Sequence, residues 1–204
     1  MKYKKSDLLK PEYLLNAYAS GLFPMCVSEF NNEILWFSPD PRGIIPLNSF
    51  YISDNLKKLY RKNKFKIKFN YDFKKVIESC AYSKTRKIDS GNWISNELIE
   101  AYINLHNLGF AHSVEIYFEG YLAGGLYGVS INGAFFGESM FYNIKDASKI
   151  ALIALVNHLK EKNFLLLDTQ YINNHLLQFG AVEISKIEYL KILDNALKIN
   201  TSFL

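Results

Sequence analysis

The sequence predicts an α+β fold, an antiparallel meander flanked by helices with a small N-terminal appendage, and three observations carry that prediction. Residues 112–141 read as alternating strands about Gly120 and about Asn132-Gly133, an Asn-Gly pair that suits a tight hairpin because both residues accept positive φ. Residues 146–162 place Ile150, Ile153, Ala154 and Asn157 at helical spacing and lead into the apolar run Phe164–Leu167, closed by the polar Asp168-Thr169-Gln170. The stretch from Leu22 to Leu47 is rich in proline, with Pro39, Pro41 and Pro46 around Arg42. Such a segment suits a structured loop or small sheet, not a helix or a central strand. A chain of 204 residues suits one domain with an appendage, or one large domain.

The elements run in order along the chain. Glu12–Ser20 reads as a short helix after Pro11, stopped at Gly21. Ser53 caps a helix to about Lys62, Phe65, Ile67 and Phe69 alternate as a strand, and Asp72 opens a helix through Cys80. Ser95 caps a helix to about Leu108, ended by Gly109, and the meander comes next. After the long helix and the strand at 164–168, Asn173–Phe179 is a short helix before Gly180 and Val182–Ile184 a strand. Ser185-Lys186-Ile187-Glu188 is a capping box for the last helix.

The chain is 49% hydrophobic and 15% aromatic, ample for a core. Its longest apolar run, Ile150–Val156, is too short to span a bilayer, and no signal peptide is visible. Cys26 and Cys80 are isolated, and the four histidines show no ligand spacing. A soluble, cytoplasmic, monomeric protein with reduced thiols, no metal and no membrane association is expected. Charge is uneven: residues 1–90 carry net +8 and residues 91–204 net −4. Between Lys57 and Lys87 twelve basic residues face only Asp72 and Glu78. Such a stripe attracts polyanions by counterion release, or is simply a solvated lysine face.

Glu138 stands among aromatics and sulfur in Phe135-Phe136-Gly137-Glu138-Ser139-Met140-Phe141. Regular alternation puts Phe136, Glu138 and Met140 on one face and Phe135, Gly137, Ser139 and Phe141 on the other. A carboxylate on an apolar face is costly to bury unless paired, so Glu138 either reaches water at an edge or meets a cation.

The order helix, meander, long helix, strand, helix, strand resembles the acetyltransferase-like GNAT architecture. AYASGLFPM (17–25), LWFSPDPRGIIPL (35–47), NWISNELIEAYINLHNLGFAHSVE (92–115), GGLYGVSINGAFFGESMFYNIKDASKIAL (124–152) and LLLDTQYINNHLLQFGAVEI (165–184) resemble the leucyl/phenylalanyl-tRNA–protein transferases over nearly the whole chain. The resemblance implies a small N-terminal domain over residues 1–50, a GNAT-like catalytic domain over residues 51–204, and transfer of Leu or Phe from aminoacyl-tRNA to proteins beginning with Lys or Arg, marking them for degradation. It implies Asp168 and Gln170 as catalytic, with Gln170 hydrogen-bonding the attacking α-amine and Asp168 polarising Gln170. It implies Glu138 as partner of a cationic acceptor group, with Trp36, Phe37, Trp93, Leu126, Phe135, Ser139, Met140, Leu155 and Leu159 also binding substrate. Leu126, Leu155 and Leu159 replace bulkier family residues and imply a roomier pocket. Lys57, Lys58, Arg61, Lys62, Lys74, Lys75, Lys84, Arg86 and Lys87 become the track for the tRNA acceptor end. Arg42 either binds a phosphate or braces the domain junction through a carboxylate.

An aminoacyl ester is already activated, so this chemistry calls for positioning and charge stabilisation and for no cofactor. An acyl-coenzyme A-dependent GNAT acyltransferase is the first alternative, but residues 143–149 lack the glycine turn that cradles pyrophosphate. A non-catalytic RNA-binding module is the second, and it leaves Glu138, Asp168 and Gln170 unexplained.

Overall fold

The computed structural model describes residues 8–82 and 93–204. In chain order the elements are α1 (Pro11–Ala19), β1 (Phe23–Val27), β2 (Glu33–Phe37), β3 (Arg42–Ile44), α2 (Asp54–Arg61), β4 (Lys66–Phe69), α3 (Phe73–Ala81) and α4 (Asn96–Asn107). Then come β5 (Ala111–Phe118), β6 (Tyr121–Ile131), β7 (Ala134–Tyr142), α5 (Ala147–Glu161), β8 (Leu166–Gln170), α6 (Asn174–Leu177), β9 (Val182–Ile184) and α7 (Lys186–Leu197). The fold is α+β, as expected from the element order.

β1 and β2 form a separate antiparallel pair, turned at Asn31 and Asn32, which both adopt positive φ. The other seven strands run β4-β5-β6-β7-β8-β3-β9. Among the described residues only β7 and β8 pair in parallel, and α5 connects them. The sheet separates two apolar cores. α1, α3, α4 and α7 cover one face through residues such as Tyr18, Val76, Tyr102 and Tyr189, against Phe136 of the sheet. α2, α5 and α6 cover the other through Leu56, Leu152, Leu155 and Leu176, against Phe135 and Leu167. α5 is apolar nearly all round, with ten of its residues buried, which fits a helix packed between sheet and outer elements.

Two local expectations are corrected. Arg42–Ile44 is a strand inside the large sheet, between β8 and β9, although prolines surround it. The prolines do not interfere because the strand is three residues long and Pro41 and Pro46 lie just outside it. Gly43 allows the close packing there: a Cβ would lie 2.9 Å from Ile172 Cγ1 and 3.0 Å from Thr169 Oγ1. The second correction is a β-bulge. Gly128 pairs with Gly137 and Tyr127 with Ser139, so Glu138 is the additional residue on β7. The bulge reverses the parity of the strand beyond it. Phe135 and Met140 therefore share the α5 side, and Phe136 and Phe141 the other.

Candidate active site

The bulge aims Glu138 away from α5 and toward the helices of the opposite layer. The side chain is 8% exposed. Its Oε1 accepts hydrogen bonds from Tyr18 Oη at 2.7 Å and Gln170 Nε2 at 2.9 Å, and its Oε2 accepts from Tyr102 Oη at 3.0 Å. Burial pushes the Glu138 carboxyl up to about 7, against the pull of these hydrogen bonds. Burial also lifts both tyrosine hydroxyls well above their ordinary range, so they remain donors. Glu138 thus changes charge near neutrality.

Asp168 is fully buried and saturated. Arg42 Nε donates to its Oδ1 at 2.9 Å and Arg42 Nη2 to its Oδ2 at 2.6 Å, a bidentate pair. Tyr189 Oη donates to Oδ2 at 2.7 Å, and the backbone N–H of Gln170 donates to Oδ1 at 2.8 Å. Arg42 is itself 1% exposed, lies over the rings of Phe23 and Tyr189, and donates through Nη1 to the carbonyl of Gly21. Burial opposes its charge, yet the contacts with Asp168 raise its affinity for the proton. Arg42 therefore braces α1, β1 and α7 against β8. The Asp168 contact reaches the backbone of Gln170, which sits in the left-handed region at φ 64°. For a residue other than glycine that conformation is held by its surroundings. Gln170 thereby turns its side chain to Glu138.

Pairing between β7 and β8 ends at Phe136↔Asp168, although both strands continue. A cavity of about 760 Å³ occupies this region, with walls from both cores. Leu126, Met140, Leu152, Leu155, Leu167 and Leu176 supply its apolar lining, and Met25 and Trp93 close the side of the N-terminal hairpin. Glu138, Ser139 and Gln170 face it as polar groups. The cavity can thus take a bulky apolar side chain beside an ionisable carboxylate and an amide.

A model of the family described as leucyl/phenylalanyl-tRNA protein transferase matches residues 44–194, and one of its N-terminal domain matches residues 7–40. The chain belongs to this family. It is an enzyme of the aminoacyltransferase class. A relative from Rhodopseudomonas palustris (strain TIE-1), named leucyl/phenylalanyl-tRNA–protein transferase, is 46% identical over 96% of this chain and 86% of its own length. One of the same name from Chlorobium luteolum is 45% identical over 97% of this chain and 100% of its own. Among solved structures, a ribosomal-protein-alanine N-acetyltransferase from Brucella melitensis biovar Abortus 2308 covers 49% of this chain and 74% of its own, at 14% identity and a TM-score of 0.34.

Within the transferase, the residues expected to bind substrate fall in two groups. Glu138, Trp93, Leu126, Ser139, Met140 and Leu155 line the cavity with Gln170. Phe135 and Leu159 are fully buried in the α5-side core, and Trp36 and Phe37 pack on β2 against the other core; none of these four lines the cavity. Asp168 lies behind the wall and acts on it through Gln170. Sequence reasoning did not single out Tyr18, Tyr102, Tyr189 or His175, and it named Thr169 only as part of the polar cluster at the end of β8. Tyr102 falls on the buried face of α4, but no local pattern tells that its hydroxyl meets Glu138.

The basic residues wrap one edge of the sheet. Lys57, Lys58 and Arg61 are exposed on α2 and Lys62 comes directly after them, while Lys74 and Lys75 are exposed on α3. Between the two helices lies edge strand β4, beside a second cavity of about 630 Å³ lined by Lys64, Lys66, Lys68, Lys75, Tyr71 and Tyr117. Lys68 Nζ lies over the Tyr71 ring, 2.9 Å from its centroid. Lysines on β4 also protect an exposed edge from pairing with other chains. Lys84, Arg86 and Lys87 lie outside the described residues. No helix among the described residues is long and apolar enough to cross a membrane.

Proposed function

We propose that this transferase moves a leucyl or phenylalanyl group from aminoacyl-tRNA onto the N-terminal amine of proteins that begin with Lys or Arg, marking them for degradation in the bacterial cytosol. The observation that carries the reading is the Glu138–Gln170 contact on the wall of an apolar cavity. The leucyl or phenylalanyl side chain fills the apolar part. Met140 is suited to accept both shapes because its thioether chain adapts. Ionised Glu138 pairs with the acceptor's cationic group, a charge-assisted contact strengthened by burial. Gln170 donates its Nε2 hydrogen to Glu138, which leaves Oε1 to accept a hydrogen from the attacking amine. An amide is too weak a base to take the proton itself. Glu138, poised near neutrality, is matched to receive it. Asp168 contributes by fixing the backbone of Gln170, not by touching substrate. The lysines about β4 hold the tRNA backbone without reading its sequence.

Labelled leucine on tRNA, offered with peptides starting with Arg, Lys, Asp or Ala, tests the reading. Label is expected on the Arg and Lys peptides alone. Equal labelling of all four, or of none, overturns it.

A further inference from the structure

We propose that Tyr18 and Tyr102 are positioning residues that close a hydrogen-bonded ring on Glu138, in which the proton given up by the acceptor's ammonium is held. The inference deepens the function proposed above and rests on it for the source of that proton. Both tyrosines are fully buried, Tyr18 on α1 and Tyr102 on α4. Their hydroxyl oxygens lie 2.5 Å apart. Tyr18 Oη is also 2.7 Å from Glu138 Oε1, and Tyr102 Oη is 3.0 Å from Oε2. Two hydroxyls and one carboxyl thus meet pairwise, each pair within hydrogen-bond distance.

The supply of protons separates the two charge states of this ring. With Glu138 ionised, only the two hydroxyl protons serve the three contacts. Both point at the carboxylate, and the tyrosine oxygens face one another with no proton between them. With Glu138 protonated, every contact holds a proton. Oε1 already accepts from Tyr18 and from Gln170 Nε2, so the added proton belongs on Oε2. Oε2 then donates to Tyr102, Tyr102 turns its own proton to Tyr18, and Tyr18 keeps donating to Oε1. Each tyrosine hydroxyl gives one bond and receives one, and bonds in such a chain polarise and strengthen one another. The short contact between the tyrosines fits the closed ring, because facing lone pairs would push the oxygens apart.

Other groups near the carboxyl set the background. Burial, and less strongly Asp168 of β8, raise its affinity for the proton, while Arg42 of β3 and Tyr189 of α7 clasp that aspartate. Tyr127 of β6 packs on the aromatic ring of Tyr102, with centroids 5.6 Å apart. Glu138 also lines the cavity, so the stored proton has a route from the ligand. The acceptor's α-ammonium gives its first proton to Glu138, which closes the ring, and the freed lone pair attacks the ester carbonyl. A nitrogen–carbon bond forms, the carbonyl carbon–oxygen bond breaks, and its electron pair leaves on the ribose oxygen. The second nitrogen proton ends on that oxygen. After product release the ring returns its proton to water, and nothing is oxidised or reduced.

Infrared titration of the ligand-free protein follows the band of the neutral carboxyl, assigned by its loss in Glu138→Gln. In Tyr18→Phe the ionised form loses one charge-assisted bond together with the crowding of the two oxygens. The protonated form loses two ring bonds and strands the Tyr102 proton, which is the greater loss. The carboxyl of the variant is therefore expected to bind its proton at least about tenfold more weakly than in wild type. In single-turnover transfer to Arg-initiated peptides, the acid limb of its pH profile moves to lower pH by the same factor, and the plateau rate falls about three- to tenfold. Tyr102→Phe breaks the ring from the other side and moves the titration the same way, which serves if Tyr18→Phe does not fold. In the double variant the second loss raises the affinity again, because no ring is left to break. A hydroxyl that merely donates to the carboxylate gives the opposite sign in each single variant, and a purely structural role gives no movement. Either result, or additive effects in the double variant, overturns the ring. If wild type transfers no leucine but the titrations move as expected, the ring stands and the proposed function falls. If wild type transfers normally and the titrations do not move, the function stands and the ring falls.

Discussion

Replacing Glu138 with glutamine removes a group on the cavity wall that changes charge near neutrality, and the consequence can be worked out from its surroundings. The carboxyl is held at about 7 instead of its ordinary 4.5. Below pH 4.5 the folded and unfolded forms both hold the proton, and nothing is gained or lost. Between 4.5 and 7 the folded form keeps a proton that the unfolded form has released, so stability falls as pH rises. Above 7 the full cost is present, on the order of 3 kcal/mol. The variant carries no such charge. It offers Tyr18 and Tyr102 a single carbonyl oxygen in place of two carboxylate oxygens, a loss of about 1–3 kcal/mol that does not change with pH. Urea unfolding of both proteins at pH 5, 6, 7 and 8 isolates the effect in their difference, which should rise by about 3 kcal/mol in favour of the variant, or roughly 6–12 °C in Tm. In transfer assays the wild-type KM for Lys- and Arg-initiated peptides should fall as pH rises through 7, while the variant's should be high and flat. A stability difference constant to within about 0.5 kcal/mol, with parallel KM profiles, would falsify both the burial argument and the cation-partner role.

Three further outcomes are expected. Asp168→Ala strands the buried Arg42 charge and should cost about 3–5 kcal/mol, with transfer down at least tenfold; a normal denaturation midpoint with normal turnover would remove Asp168 from both roles. Arg42→Lys keeps the charge but loses the bidentate pair and the stacking on Phe23 and Tyr189, so it should lose at least about 2 kcal/mol in thermal melts; stability equal to wild type would show that the brace is only electrostatic. Reversing Lys57, Lys58 and Arg61 to glutamate should weaken tRNA binding and flatten its salt dependence by about 0.7–0.9 per lost phosphate contact; an unchanged slope places the tRNA elsewhere.

Local signals served best where structure is local. The Asn132-Gly133 turn, the Gly120 turn and the Ser95 and Ser185 caps are where the pattern puts them, and both caps accept the expected backbone N–H; Ser53 stands at the N-cap without a side-chain cap bond, and Asn173, read as the first helical residue, is itself a cap. The bulge at Glu138 had a cue in the neighbouring Gly137, yet strict alternation hid it. β3 was obscured because Arg42–Ile44 is too short to show a period and becomes a strand only by pairing with β8 and β9. Of the candidate site, Glu138, Asp168 and Gln170 stood out as polar groups in apolar strands. The partners that give them their geometry lie 120 residues away for Tyr18 with Glu138 and 126 for Arg42 with Asp168. Pairings at that distance leave no periodic trace along the chain.

The clasp on Asp168 also bears on the order of assembly. One jaw, Arg42, is made early in synthesis; the other, Tyr189, lies in the final helix. Contacts of such sequence separation form late, after most of the chain has left the ribosome. A nascent polypeptide stopped short of residue 189 lacks the tyrosine hydroxyl that helps anchor the aspartate. The clasp therefore closes only after residue 189 has been made.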